Sequence, residues 1–286
     1  MTDATASAKA QPWEGPLHLR TTAFFVLVHL LGVVGIVYAF YAASEAVVAL
    51  AFFLTGYFFV GQLATTLAAH RLYAHKAFEA ALWLEFVLVV LFSGNAQGSI
   101  IFWAGWHKLH HAKEDTDEDP HSPEHGFWWA HMLWVMKNGG FTAPPDRYMI
   151  TPARSKAAMF QHKWNLGLQA VMAWGLPAFV GYLAGDALLG FLLANTRLVP
   201  QYHLTWVINS VCHLWGHRDG TRTSTNINLL ALFTAGEANH DKHHAAPRHY
   251  QIGRGRGDYD MGAWVLRQLS KVGAVWNLQE PVPKSR

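Results

Sequence analysis

Charge and cysteine are what this sequence lacks. Only 14% of its 286 residues are charged, against about 25% in a soluble globular domain. The single cysteine, Cys212, excludes an internal disulfide, a CxxC pair and an iron–sulfur cluster carried by this chain. The net charge of +3 comes with no long basic run, so no nucleic-acid partner is expected. The N-terminal stretch MTDATASAKAQPWEG has no apolar core before a small-residue site, and no cleaved signal peptide is expected. Repeats, low-complexity linkers and flavin fingerprints are also missing, which leaves one integral domain over 1–286.

Apolar residues and histidine are plentiful instead. Half of the chain is hydrophobic, and 18 histidines nearly match 19 acidic residues. A hydrocarbon core of ~30 Å needs about 20 apolar residues in a helix. Segments 21–43 and 46–69 satisfy that around a turn at Ser44-Glu45, and 166–184 and 187–214 do so around Gly185-Asp186. The expected fold is therefore all-α, with four transmembrane helices in two hairpins and a helical cap formed by 70–165 and 215–286. Neither connecting turn carries Lys or Arg, and Arg197 is the one basic residue inside a span. The positive-inside rule then puts the cap and both termini in the cytoplasm. The fourth span, at 28 residues, would reach ~42 Å and carry Asn209 and His213 out of the bilayer. Residues 82–104 are apolar but interrupted by Ser-Gly-Asn and Gln-Gly, and read as an interfacial or re-entrant helix.

Four polar motifs fall on that one face: HRLYAH (His70, His75), HKLHH (His107, His110, His111), NSVCH (Asn209, His213) and HDKHH (His240, His243, His244). Positions i, i+3 and i+4 of a helix share roughly a 100° arc, so each HxxHH can aim three imidazoles at one point. His70 and His75 diverge by about 140° on an ideal helix; they serve different metals, or the helix ends between them. Each motif has a packing explanation when taken alone, but ionisable groups beside membrane helices are costly unless they work. Nine histidines exceed the four ligands of a structural zinc site. A hydrolytic two-metal site would recruit carboxylates, and the triads contain only Asp241. A nitrogen-rich binuclear site against lipid points to dioxygen chemistry on an alkyl chain. His18, His29, His125, His131, His162, His203, His217 and His249 lack a partner at ligand spacing and read as packing or surface residues.

The chain resembles the membrane fatty acid desaturases, specifically the acyl-CoA Δ9 (stearoyl-CoA) type and its bacterial relatives, over residues ~25–280. AAHRLYAHKAF, HKLHHAKEDTDEDPHSPEHGFWWAH, TWVINSVCHLWG and GEANHDKHHAAP match its motifs in order. The resemblance implies two iron ions held by the nine histidines, Asn209 reaching iron through water, and His121 outside the ligand set. It implies O2 as co-substrate, two electrons from a ferredoxin or cytochrome b5-like donor, and a saturated acyl chain given a cis double bond. The acyl carrier (CoA, acyl carrier protein or glycerolipid) stays open, as does hydroxylation or acetylenation at the same site. A bacterial member would sit in the inner membrane. By the same resemblance the acyl tunnel bends at Gln97, Trp103 and Thr205, with Trp206 beside them, and its methyl end is closed near Phe58 and Gln62. Gln62 is expected to pair with a neighbouring helix, because an unpaired buried amide costs roughly 1–3 kcal/mol. Two departures stand out. Gly105 and Trp106 replace a polar pair used to hold CoA, and Asn239 and Asp241 alter the surroundings of His240. Arg254 and Arg256 are candidates for the donor's docking surface, or else a lipid-facing basic loop. A membrane metal transporter or sensor is the rival class, and it would hold its ligands near the bilayer midplane.

Overall fold

The computed structural model describes residues 15–138, 142–219 and 223–280. Both chain ends, which the sequence reading assigns to the cytoplasm, lie outside them. Helix α1 (Leu19–Ala42) turns at Ser44 into α2 (Glu45–Ala64), which continues without a break through a π-helical stretch, Thr65–Ala74. Then come α3 (Leu82–Ser93) and α4 (Ile100–Lys113). Helix α5 is continuous over Lys156–Leu183, with a π-helical middle at Ala170–Gly175, and α6 covers Ala187–Leu214. After a short helix at Asn228–Phe233 come α7 (His240–Ala245) and α8 (Met261–Lys271). The all-α expectation holds apart from one two-residue pairing, Glu79–Ala80 against Val275–Trp276.

Among the described residues, three helices are long and apolar enough to cross a membrane: Leu19–Ala42, Glu45–Ala74 and Lys156–Leu183. The second and third run five to ten residues further toward the cap than their apolar stretches indicated. Helix α6 matches its expected bounds but is more polar, with Asn195, Arg197, Gln201 and His203 along it. Apolar side chains such as Leu27, Val33, Phe40 and Phe52 face outward, while small residues let backbones approach inside, as membrane helices require. A Cβ on Gly35 would stand 2.5 Å from Thr196 Oγ1 and 2.8 Å from the Leu192 carbonyl of α6. Gly181 and Gly190 join the α5–α6 hairpin in the same way, with 2.8 Å from a Gly181 Cβ to Gly190 Cα.

The apolar segment 82–104 forms two helices, not one. The break at 94–99 includes Ala96 and Gly98 at positive φ. Neighbours hold it: Asn95 Nδ2 donates to Gly61 O and Thr65 Oγ1, and Gln161 bonds Gly98 O and Ile100 N. The break turns the chain so that α4 runs beside the π-helical end of α2. On the far side, the buried Arg71 guanidinium donates to Tyr250 O (2.6 Å) and Asp260 Oδ1 (2.9 Å). Asp260 also caps α8 through Ala263 N, which fastens the C-terminal segment to the base of α2.

Candidate metal centre and its two cavities

The π-helical turn resolves the His70–His75 problem. A π-helix closes i→i+5 hydrogen bonds, and His75 N donates to His70 O at 3.1 Å. The extra residue per turn brings positions 70 and 75 to one side, and the helix ends at Ala74, between them, with His75 as its C-cap. Both side chains join a single group. His70, His75, His107, His111 and His243 place their ligand atoms within 4.8 Å of one another.

A second group, His110, His213, His240 and His244, meets the same limit. All nine expected histidines are used, but the triads divide. The i, i+4 pair His107/His111 serves the first group and His110 the second. On α7 the pair His240/His244 serves the second group and His243 the first. The Nε2 atoms face inward: His75–His107 2.8 Å, His111–His243 2.8 Å, His213–His240 3.1 Å and His110–His244 3.3 Å. Each HxxHH thus straddles two sites rather than aiming at one.

The outward nitrogens meet carboxylates that the sequence reading did not single out. Glu237 stands 2.6 Å from His70 Nδ1, Asp119 2.8 Å from His110, Asp115 3.0 Å from His213 and Glu114 3.1 Å from His244. Such outer partners fix ring orientation and raise ligand basicity. The signal was available, since Glu114, Asp115 and Asp119 follow the second motif directly. Asn239 turns to backbone carbonyls of Gly236 and Tyr259, and Asp241 accepts from Asp219 N. His240 Nδ1 has no partner among the described residues.

Electrostatics suit a metal. Burial, then the neighbouring imidazoles, hold His75, His107, His111, His240, His243 and His244 well below the usual histidine range. Their rings are neutral, with Nε2 atoms converging on one another. Burial also opposes charge on His110, but Asp119 outweighs it and raises that residue. Asp119 itself is held far below the carboxylate range: His110 and His121 overcome the effect of burial. Four to five nitrogens per group, with carboxylates behind them, fit imidazole-seeking transition metals.

Two small cavities reach this centre. One of about 80 Å³ is lined by Phe25, Gln97, Trp103, Trp106, His107, His121, Trp134, Val135, Tyr202, Thr205, Trp206 and Asn209. The other, about 50 Å³, runs past His70 and His240 to Gln62, Thr65 and Thr66. They share Trp103, His107, Thr205 and Asn209. Between them, Trp103 Nε1 donates to Gln97 Oε1 (2.8 Å) and Gln97 Nε2 to Thr205 Oγ1 (3.2 Å), while the Trp103 ring stacks on His107. The three residues proposed for the bend are one hydrogen-bonded unit. Gln62 lines the inner cavity, but its Nε2 has no partner among the described residues, contrary to the pairing expected. Phe58 faces a separate lipid-side groove of about 680 Å³, outside this path. Arg254 is spent on the carbonyls of Lys242 and Gln251, while Arg256 is exposed.

Two all-imidazole groups with carboxylate backing, set at the end of apolar helices, fit a class of membrane metal-binding proteins. Residues 45–260 match the fatty acid desaturase family, and the chain belongs to that family. It is an oxidoreductase, a fatty acyl desaturase. It is 32% identical over 274 residues to the sn-1 stearoyl-lipid 9-desaturase of Anabaena variabilis, covering 95% of each chain. It is 34% identical over 229 residues to a probable acyl-CoA desaturase of Schizosaccharomyces pombe, covering 78% of this chain and 47% of that one. The sn-2 palmitoyl-lipid 9-desaturase of a Nostoc species is 33% identical over 224 residues, covering 74% and 75%.

Proposed function

We propose that the chain is a di-iron desaturase acting on acyl chains esterified to membrane lipid, with Δ9-type placement of a cis double bond. The observation that carries this is the outer cavity's mouth. Among the described residues its lining contains Phe25, Trp106, Trp134 and Val135 and no Lys or Arg, so these offer nothing to the several phosphate charges of CoA. The approach at Gly105 is filled as well. A Cβ there would lie 2.5 Å from Pro144 Cγ, and Trp106 Nε1 donates to Thr142 O. Aromatic rings suit the membrane interface, where a glycerolipid's ester already sits. The cyanobacterial relatives named for acyl-lipid substrates support the same choice.

His70, His75, His107, His111 and His243 would hold one iron, and His110, His213, His240 and His244 the other, with Asn209 facing the space between cavity and centre. Bound there, the iron pair supplies activation of O2 and removal of two hydrogens from a saturated chain. The protein's own task is placement. Trp103, Gln97 and Thr205 hold the bend of the path, Trp206 walls it, and the apolar lining excludes water from the reacting carbons. Gln62 ends the inner cavity and limits the methyl side. Two electrons come from a separate redox protein on the cap side. Helix α6 is the fourth span, and cap and termini face the cytoplasm of the bacterial inner membrane.

Membranes containing the enzyme, ferredoxin and its reductase test this. Labelled stearoyl-glycerolipid, stearoyl-CoA and stearoyl–acyl carrier protein are offered in parallel, and products are read by mass spectrometry. Early unsaturated product in the glycerolipid is expected. Exclusive early product in CoA thioester overturns the lipid assignment, and hydroxylated or acetylenic product overturns desaturation. Two irons per purified chain are expected; zinc or one labile ion favours the transporter class.

A further inference from the structure

Three histidines set aside as packing residues form a chain of their own, apart from the metal groups. His29 of α1 meets His203 of α6 Nε2 to Nε2 at 3.1 Å. His203 Nδ1 meets His131 Nε2 at 2.9 Å, and His131 Nδ1 meets Ser210 Oγ at 3.0 Å. At the other end, His29 Nδ1 lies 2.7 Å from Phe25 O. All six ring nitrogens are engaged.

The protons in this chain follow from one end. A carbonyl only accepts, so His29 Nδ1 carries hydrogen and, with the ring neutral, its Nε2 accepts. His203 must then donate from Nε2 and accept at Nδ1, and His131 must donate from Nε2, which leaves its Nδ1 to share the Ser210 hydroxyl hydrogen with Trp206 O. His203 spends its two nitrogens on different neighbours, which rules out a three-nitrogen metal site. The chain ends on a carbonyl that cannot pass a proton on, which rules out a through-wire. What remains is mechanical: a polar strut joining α1, the π-helical turn Trp129–Leu133 and α6.

We infer that this strut positions Trp206 and so sets which acyl carbon is presented to the metal centre; the inference rests on the desaturase reading above. Trp206 lines the outer cavity next to Thr205. Two strut residues frame its ring, His203 at 5.3 Å and His131 at 5.8 Å between centroids, and Phe25 lies at 5.1 Å. Ser210 sits one residue beyond Asn209, and its single hydroxyl hydrogen is shared between His131 Nδ1 (3.0 Å) and Trp206 O (2.9 Å). A loosened strut lets this face of α6 shift, and successive chain carbons lie about 1.3 Å apart. Displacement on that scale is known to change reactivity by up to about a hundredfold.

The experiment measures the double-bond position in products formed by the full-length enzyme in membranes with its redox partners. His203→Leu removes both central links; His203→Gln keeps one donor and one acceptor. For His203→Leu, the isomer displaced by one carbon should rise about tenfold in share, equivalent to 1.4 kcal/mol between competing barriers, with iron content unchanged. His203→Gln should restore the parent ratio, a rescue that simple space-filling does not predict. If His203→Leu fails to accumulate, His29→Leu and Ser210→Ala, which each delete one terminal link, should shift the ratio in the same direction. An unaltered ratio in the variants that accumulate overturns the strut. Absence of any double bond from the unmodified enzyme would instead refute the desaturase reading.

Discussion

Removing the Asp119 side chain isolates the outer carboxylates from the ligands they back. Asp119 is 3% exposed and accepts three hydrogen bonds, from His110 Nδ1 (2.8 Å), Asp115 N (2.9 Å) and His121 N (3.1 Å). In Asp119→Ala the two backbone donors lose their partner, at about 1–3 kcal/mol each. The His110 ring also loses the group that orients it, a change that costs about 10–100-fold in metal affinity, or roughly 1.4–2.7 kcal/mol. Asp119→Asn keeps one acceptor oxygen and loses the charge, while its amide nitrogen faces the other backbone N–H. It should therefore unfold between Asp119→Ala and the parent and bind metal more weakly than the parent. His110 belongs to the four-histidine group, so iron should fall from two per chain toward one as chelator strength rises, with the five-histidine group emptying later. Thermal unfolding and elemental analysis across a chelator series read both quantities. Superimposable chelator curves for parent, Asn and Ala would refute the reasoning.

The remaining expectations follow from other parts of the molecule. His107→Ala and His243→Ala should each abolish product while the protein stays in the membrane, whereas His125→Ala should keep both irons; elemental and fatty acid analysis distinguish them. Gln62→Ala should admit longer acyl donors at unchanged iron content, and an identical chain-length profile would show that Gln62 does not end the path. Gly35→Val should destabilise the α1–α6 contact by about 1–3 kcal/mol through overpacking, seen as a lower Tm. Iron-stripped protein should be most stable above about pH 6.5. Below it the unfolded chain binds protons that the buried imidazoles refuse, costing up to about 1.4 kcal/mol per pH unit for each; a flat Tm from pH 8 to 5 would contradict this.

The candidate histidines were readable because HxxHH fixes residue types at helical spacing, and the structure gathers all nine into two groups. Their partition was not. Positions i+3 and i+4 lie on opposite sides of the line through i, so three imidazoles on one arc can serve one ion or two, and only a facing helix decides. The π turn is similar: His-x4-His hints at it, but an α-helix with divergent side chains has the same sequence. Glu114, Asp115 and Asp119 follow an identified motif, yet their targets depend on how the loop after Lys113 folds back. His29, His131 and His203 are separated by 174 and 72 positions along the chain, so no local pattern could join them. Apolar length found the first two membrane helices and the bounds of α6. It missed the first turns of α5, where polar residues at 156–165 pack against the cap.

The nine imidazoles come from four stretches of chain, and His70 meets His243 across 173 positions. A nascent polypeptide that has emerged only through α4 holds five of them and neither complete group. Metal capture must therefore wait until α7 is released and docked, and Arg71, gripping Asp260 beside the entrance to α8, ties that docking to the last helix. Binding energy gained by the ions is then energy gained only by the finished topology. Cells short of iron should accumulate a protein that is inserted but unclosed, with its C-terminal fifth open to proteolysis.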